Sequence, residues 1–94
     1  MTMGAKPLVI DDLATPQLRL LEGLHAELED WHTPVTVWSP ELEEYGSGRD
    51  VVEAVSDFKA SVVELYQTLK ENADHLGPYP CRQWEYLRRI VKEV

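Results

Sequence analysis

The stretch from Asp50 to Glu71 constrains the fold most, because its apolar residues repeat at the period of a helix. Val51, Val55, Phe58, Val62, Leu65 and Leu69 recur at intervals of four and three, while Glu53, Asp57, Glu64, Gln67 and Glu71 fall on the opposite side. Asp50 and Glu53 stand in the relation of an N-cap and the third helical residue, a capping box that satisfies backbone donors of the first turn. The spacing predicts an amphipathic helix of about six turns lying on a sheet or on another helix. Everything else in the chain must supply the surface that this stripe covers.

The segments before it read as short and extended. Val35-Thr36-Val37-Trp38 is β-branched and aromatic, entered through Pro34 and ended by Ser39-Pro40, which predicts a strand. Its alternation puts Val35 and Val37 on one face and Thr36 and Trp38 on the other. Glu41–Tyr45 reads as a second extended piece, and Gly46-Ser47-Gly48 as a tight reversal using the positive φ that glycine permits. Lys6–Ile10 is a short apolar run, an edge strand or a loosely attached arm.

Gln17–Trp31 has two readings. As a helix, Thr15 caps it, Pro16 sits in its first turn, and Leu18, Leu21, Leu24, Leu28 and Trp31 form a stripe. As a strand, Leu18, Leu20, Leu24, Ala26 and Leu28 share one face, with Arg19, His25, Glu27 and Glu29 on the other. Leucine, glutamate, alanine and arginine favour the helix on propensity, and Gly23 weakens it. Beyond the long helix, Gly77-Pro78-Tyr79-Pro80 breaks the chain. A final short helix is then expected, with Trp84, Leu87, Ile90, Val91 and Val94 towards one side and Arg82, Arg88, Arg89 and Lys92 towards the other.

At 94 residues the chain is expected to form one domain, with a core over about 17–72 and a helical extension over about 79–94. The 17 acidic and 9 basic residues give a net charge of −8, which disfavours nucleic acid and anionic membranes and favours a basic partner. Glu22, Glu27, Glu29, Asp30, Glu41, Glu43 and Glu44 form a block without lysine or arginine, whereas from Pro80 onward basic residues prevail. Such a block is a solvated face or a docking face for a cationic protein. Cys81 is the single cysteine, so neither an intrachain disulfide nor a cysteine zinc cage is expected. With no signal-like or membrane-spanning apolar run, the expected compartment is a reducing cytoplasm.

Trp38-Ser39-Pro40-Glu41-Leu42, then Gly46-Ser47-Gly48-Arg49-Asp50, then Glu53-Ala54, follow one another in an order that resembles the HicB-type antitoxin domain. The resemblance covers roughly Leu24 to Leu69. It implies an α+β fold of partial ribonuclease-H-like topology, β-β-β-α. A small antiparallel sheet of three to four strands is covered by the long helix, and the C-terminal helix is added to it. It also implies that Leu24–Asp30 is extended and that Asp30–Pro34 connects a hairpin, while Gln17–Glu22 stays open between strand and helix.

Members of that family neutralise a small basic toxin that cleaves messenger RNA, covering its active site, and often carry a DNA-binding module. Residues 72–94 are too few for a helix-turn-helix and contain nothing like a ribbon-helix-helix strand, so direct DNA binding is not expected of this chain. The Gly-loop also departs from the family in having Arg49-Asp50 where Asp-Thr is common. The resemblance thus implies an antitoxin-like protein and no enzyme, with a homo-oligomeric interaction module lacking a toxin as the alternative. Partner-binding residues are expected at Glu29, Asp30, Trp38, Pro40, Glu41, Leu42, Glu43, Glu44 and Tyr45, where apolar anchors sit inside an acidic rim. Self-association is expected through Trp84, Leu87, Arg88 and Val91.

Catalytic readings are weaker. His25 with Glu27, or Asp30 with His32, offers metal ligands at a spacing that arises by chance, and no third ligand follows from spacing. Glu27, Glu29 and Asp57 would have to converge for two-metal chemistry. Cys81 beside Arg82 is an ordinary helix-start cysteine. Ser39, Ser47, Ser56 and Ser61 lie in no nucleophile elbow. Gly46-Ser47-Gly48 ahead of a helix is a turn before it is an anion cradle, since Asp50 already occupies the cap. No cofactor or metal is expected.

Overall fold

The computed structural model describes residues 4–94, so the first three residues of the expected domain lie outside the description. In chain order the elements are β1 (Lys6–Ile10), β2 (Leu18–Leu20), β3 (Leu24–Glu29), β4 (Val35–Ser39), β5 (Glu44–Gly48), α1 (Val51–Glu71), α2 (Pro78–Ile90) and β6 (Val91–Glu93). A single 3-10 turn, Ala73–His75, joins the helices. The fold is α+β: an antiparallel sheet in the order β1-β3-β4-β5, and a separate two-stranded ribbon of β2 with β6.

The ambiguous segment is extended. β3 is the second strand of the sheet, paired with β1 on one side and β4 on the other. Its Leu24 and Ala26 are completely buried while His25 is exposed, a period of two that only a strand produces. The helical propensity of these residues amounts to tenths of a kcal/mol each, less than the burial gained by pairing on both sides. Lys6–Ile10 is the edge strand, with Pro7, which has no N–H to leave unpaired, at a position suited to an edge.

Two expectations about β5 fail together. Glu41–Tyr45 is not one extended piece. Pro40–Glu43 is a tight turn in which Glu43 N–H bonds the Ser39 carbonyl at 2.7 Å and Glu43 takes a left-handed φ of 51°. The strand resumes at Glu44 and runs through Gly46-Ser47-Gly48, so these glycines do not reverse the chain, and none has positive φ. They serve close approach. A Cβ on Gly46 would lie 2.5 Å from Phe58 Cα, and one on Gly48 would lie 2.7 Å from Ala54 N. Helix α1 therefore rests directly on the backbone of β5.

That close approach sets which side of α1 is buried. Its core face is Ala54, Phe58, Val62, Tyr66 and Leu69, turned from the expected stripe so that the small Ala54 meets the glycines. Val51 is exposed, and Val55 and Leu65 are half-buried at the flanks. Half of the expected capping box forms: Asp50 Oδ1 accepts from Glu53 N at 2.9 Å, while the Glu53 side chain takes the N–H of the residue before the cap. Glu53 in turn reaches back to Arg49, accepting from its backbone N–H at 3.0 Å and from Nη2 at 2.6 Å. The Arg49 contact holds the Glu53 carboxyl below its usual range.

Helix α2 enters at Pro78 behind the Gly77 cap and packs Leu87 and Ile90 into the core. Trp84 stacks at a tilt on Tyr66 of α1, ring centroids 5.3 Å apart. The helix ends one residue before Val91, which instead opens β6 and pairs with Leu20. The assignment of Leu87 and Val91 to self-association is thereby corrected. Both are buried within their own chain, Leu87 at 0% exposure, and Trp84 is engaged by Tyr66. Of that set only Arg88 is exposed.

Candidate functional site

Helix α1 and the C-terminal unit cover one face of the four-stranded sheet and leave the other bare. The bare face carries the alternate residues: Pro7 and Val9 of β1, His25, Glu27 and Glu29 of β3, Thr36 and Trp38 of β4, Tyr45 and Ser47 of β5. Strand register aligns Pro7, Glu27, Trp38 and Tyr45 in one row across all four strands. Val9 is 59% exposed, Trp38 37% and Tyr45 60%. Ser47 N–H points away from β4, bonded to Asp57 Oδ2 at 2.9 Å. By the alternation of an antiparallel ladder, Trp38 and Tyr45 then form a non-hydrogen-bonded pair, the kind that brings side chains closest.

Acidic residues frame this pair. Glu27 is the direct neighbour of Trp38, and Glu29 stands opposite Thr36 one step along. His25 Nδ1 lies 3.3 Å from Glu41 Oε1, and His32 Nε2 lies 3.6 Å from Glu29 Oε1. Asp30, at the end of β3, is engaged by Lys6 at 3.2 Å.

The expected binding residues divide between this face and other surroundings. Trp38, Tyr45 and Glu29 share it, with Glu41 at its margin beside His25. Leu42 does not belong there: it is completely buried, and its carbonyl accepts from Gln83 Nε2 of α2 at 2.6 Å. Pro40 is exposed on the turn above it. The Glu43 carboxylate beside the Tyr79 hydroxyl raises the Tyr79 pKa. Burial, with Glu41 nearby, raises that of Tyr86. The acidic turn is thus braced from behind by α2. Glu44 is half-buried on the helix side of β5 and lines a shallow hollow with Ser61, Glu64 and Thr68.

Sequence reasoning missed Glu27, Val9 and Pro7 as parts of the face. The strand reading of Gln17–Trp31 did place Glu27 beside His25 and Glu29, but only the register between strands sets it against Trp38.

The catalytic constellations do not assemble. No group of three histidine, cysteine or acidic side chains suited to a metal ion occurs among the described residues. Glu27 and Glu29 lie on the bare face, whereas Asp57 sits on α1, with its carboxylate committed to the Ser47 N–H. That same bond occupies an amide that an anion at the glycine segment would need. Cys81 is half-buried with Sγ 3.8 Å from Glu85 Oε1. Among the described residues, no helix is long and apolar enough to cross a membrane.

Neither a family model, nor a curated protein, nor a solved structure matches the chain.

Proposed function

We propose that this chain binds a small basic protein on the bare face of its sheet and acts as an antitoxin-like inhibitor that covers the partner's active site. The observation that carries the reading is the row Glu27–Trp38–Tyr45: two adjacent exposed aromatics beside a carboxylate, on a sheet face with nothing over it. Aromatic anchors inside a charged rim are the composition of a binding hot spot. The net charge of −8 adds long-range attraction for a cation-rich partner. The resemblance in the order of motifs supports an RNA-cleaving toxin as that partner.

The test is co-expression with the product of the adjacent reading frame, followed by titration calorimetry. Trp38→Ala with Tyr45→Ala is expected to weaken the complex by about 2 kcal/mol or more. Glu27→Lys with Glu29→Lys is expected to slow association, with a smaller salt dependence than the parent. Unchanged affinity in the aromatic variant removes the face from consideration. A neighbouring product that neither co-purifies nor binds removes the antitoxin reading.

A further inference from the structure

Four of the nine lysines and arginines are tied to carboxylates: Lys6 to Asp30, Arg49 to Glu53, Lys59 to Asp12 and Lys70 to Glu93. The other five, Arg19, Arg82, Arg88, Arg89 and Lys92, have no carboxylate within ion-pair distance among the described residues, and every one lies on β2, α2 or β6. In a chain with nearly twice as many acidic as basic residues, the unpaired cations are segregated onto one structural unit.

The ribbon sharpens the point. Arg19 and Lys92 are direct cross-strand partners, so two like charges stand opposite each other. That arrangement destabilises a strand pair. The ladder is intact on both sides of them, with Leu21 N–H to Ile90 O at 2.7 Å and Val94 N–H to Gln17 O at 2.9 Å. Their neighbours Leu18 and Val91 point into the core, so Arg19 and Lys92 project outward. Leu21, two residues on from Arg19, is 58% exposed. The ribbon thus offers cations beside an apolar side chain, the converse of the carboxylates beside aromatics on the sheet face.

We propose that a second copy of this chain docks its Arg19–Leu21–Lys92 surface against the Glu27–Trp38–Tyr45 face of the first. Charge complementarity selects this occupant. The overall negative charge repels a polyphosphate, and the ribbon carries no aromatic platform on which bases could stack. Glu27 and Glu29 relieve the Arg19–Lys92 repulsion while Leu21 meets Trp38 and Tyr45. The two surfaces differ, so each individual contact joins unlike patches. A bound copy and a basic partner would compete for one face, yet the contact is testable with this chain alone and stands or falls independently of any partner.

The experiment is sedimentation equilibrium of the full chain at low and high salt, with paired charge reversals. The parent is expected to self-associate at low salt and to weaken about tenfold or more as screening rises. Arg19→Glu with Lys92→Glu, and separately Glu27→Lys with Glu29→Lys, are each expected to be monomeric alone while retaining the parent's circular dichroism. Mixed one to one, they are expected to associate again, because each supplies the surface that the other lacks. The neutral pair Arg19→Gln with Lys92→Gln serves if a reversal fails to fold, and is expected to lose the salt-dependent association. A parent that stays monomeric at low salt overturns the proposal. So do reversed variants that still associate alone, or a mixture that does not recover association.

Discussion

Gly46 and Gly48 act by lacking a side chain where a helix crosses a strand. Between the Gly46 Cα and Phe58 there is no room for a methyl group, and the atoms it would meet belong to backbone, which cannot swing aside. Gly46→Ala is expected to destabilise the protein by about 2 kcal/mol or more, read as a lower midpoint in chemical denaturation. Leu42 acts in the opposite sense, by filling space. Leu42→Ala should cost about 2–5 kcal/mol, whereas Glu41→Ala beside it should change stability by less than about 0.5 kcal/mol. Equal effects at the two positions would mean that the turn is not anchored by its leucine. In the sequence Leu42 stands among acidic residues and reads as a surface anchor. Its burial depends on α2, some forty residues away in the chain, bringing Gln83 to its carbonyl, and no local pattern announces that.

Among the elements, β6 is held by a small polar clamp. Glu93 accepts from the Tyr66 hydroxyl at 2.9 Å and from Lys70 Nζ at 2.7 Å, joining the last strand to α1. The Lys70 bond, with that of Tyr66, holds the Glu93 carboxyl below its ordinary 4.5. Burial, with Glu93 beside it, pushes the Tyr66 hydroxyl up to about 12. The signs follow from linkage. Glu93 contributes stability that is present above about pH 4.5 and lost as pH falls through its depressed folded value. Tyr66 contributes stability that is present below about pH 10 and lost as pH rises from 10 towards 12. Denaturation midpoints followed against pH should fall at both ends, and Tyr66→Phe should flatten the alkaline fall between pH 10 and 12. The amide protons of β6 should lose exchange protection first on acidification. The long helix was legible because its six turns repeat a pattern, whereas β2 and β6 are three residues each and too short to show a period. What makes them strands is each other.

At the level of the whole molecule, the C-terminal unit is part of the core. Leu87, Ile90 and Val91 are buried with Leu24, Phe58 and Val62 in one apolar cluster. Truncation after Gly77 is therefore expected to unfold the chain, not merely to disperse an oligomer. Circular dichroism should show the loss of helix beyond that of α2 itself. A truncated chain that keeps a cooperative thermal transition would show the β1-β3-β4-β5 sheet and α1 to be sufficient. The α+β class and the sheet under one helix were readable from patterning and motif order. The placement of β1 beside β3, and the pairing that turns Trp38 towards Glu27, came from long-range register that a single sequence does not encode locally.

The β2–β6 ribbon also bears on how the chain can fold as it is made. Leu18 finds its ladder partner only in Glu93, so β2 must wait, unpaired, until all of the intervening chain and β6 itself have left the ribosome. Through that interval the apolar surface that α2 and β6 will cover stays open to chaperones and proteases. A chain lacking β6 would leave that surface open, so the ribbon makes closure of the core depend on two segments more than seventy residues apart.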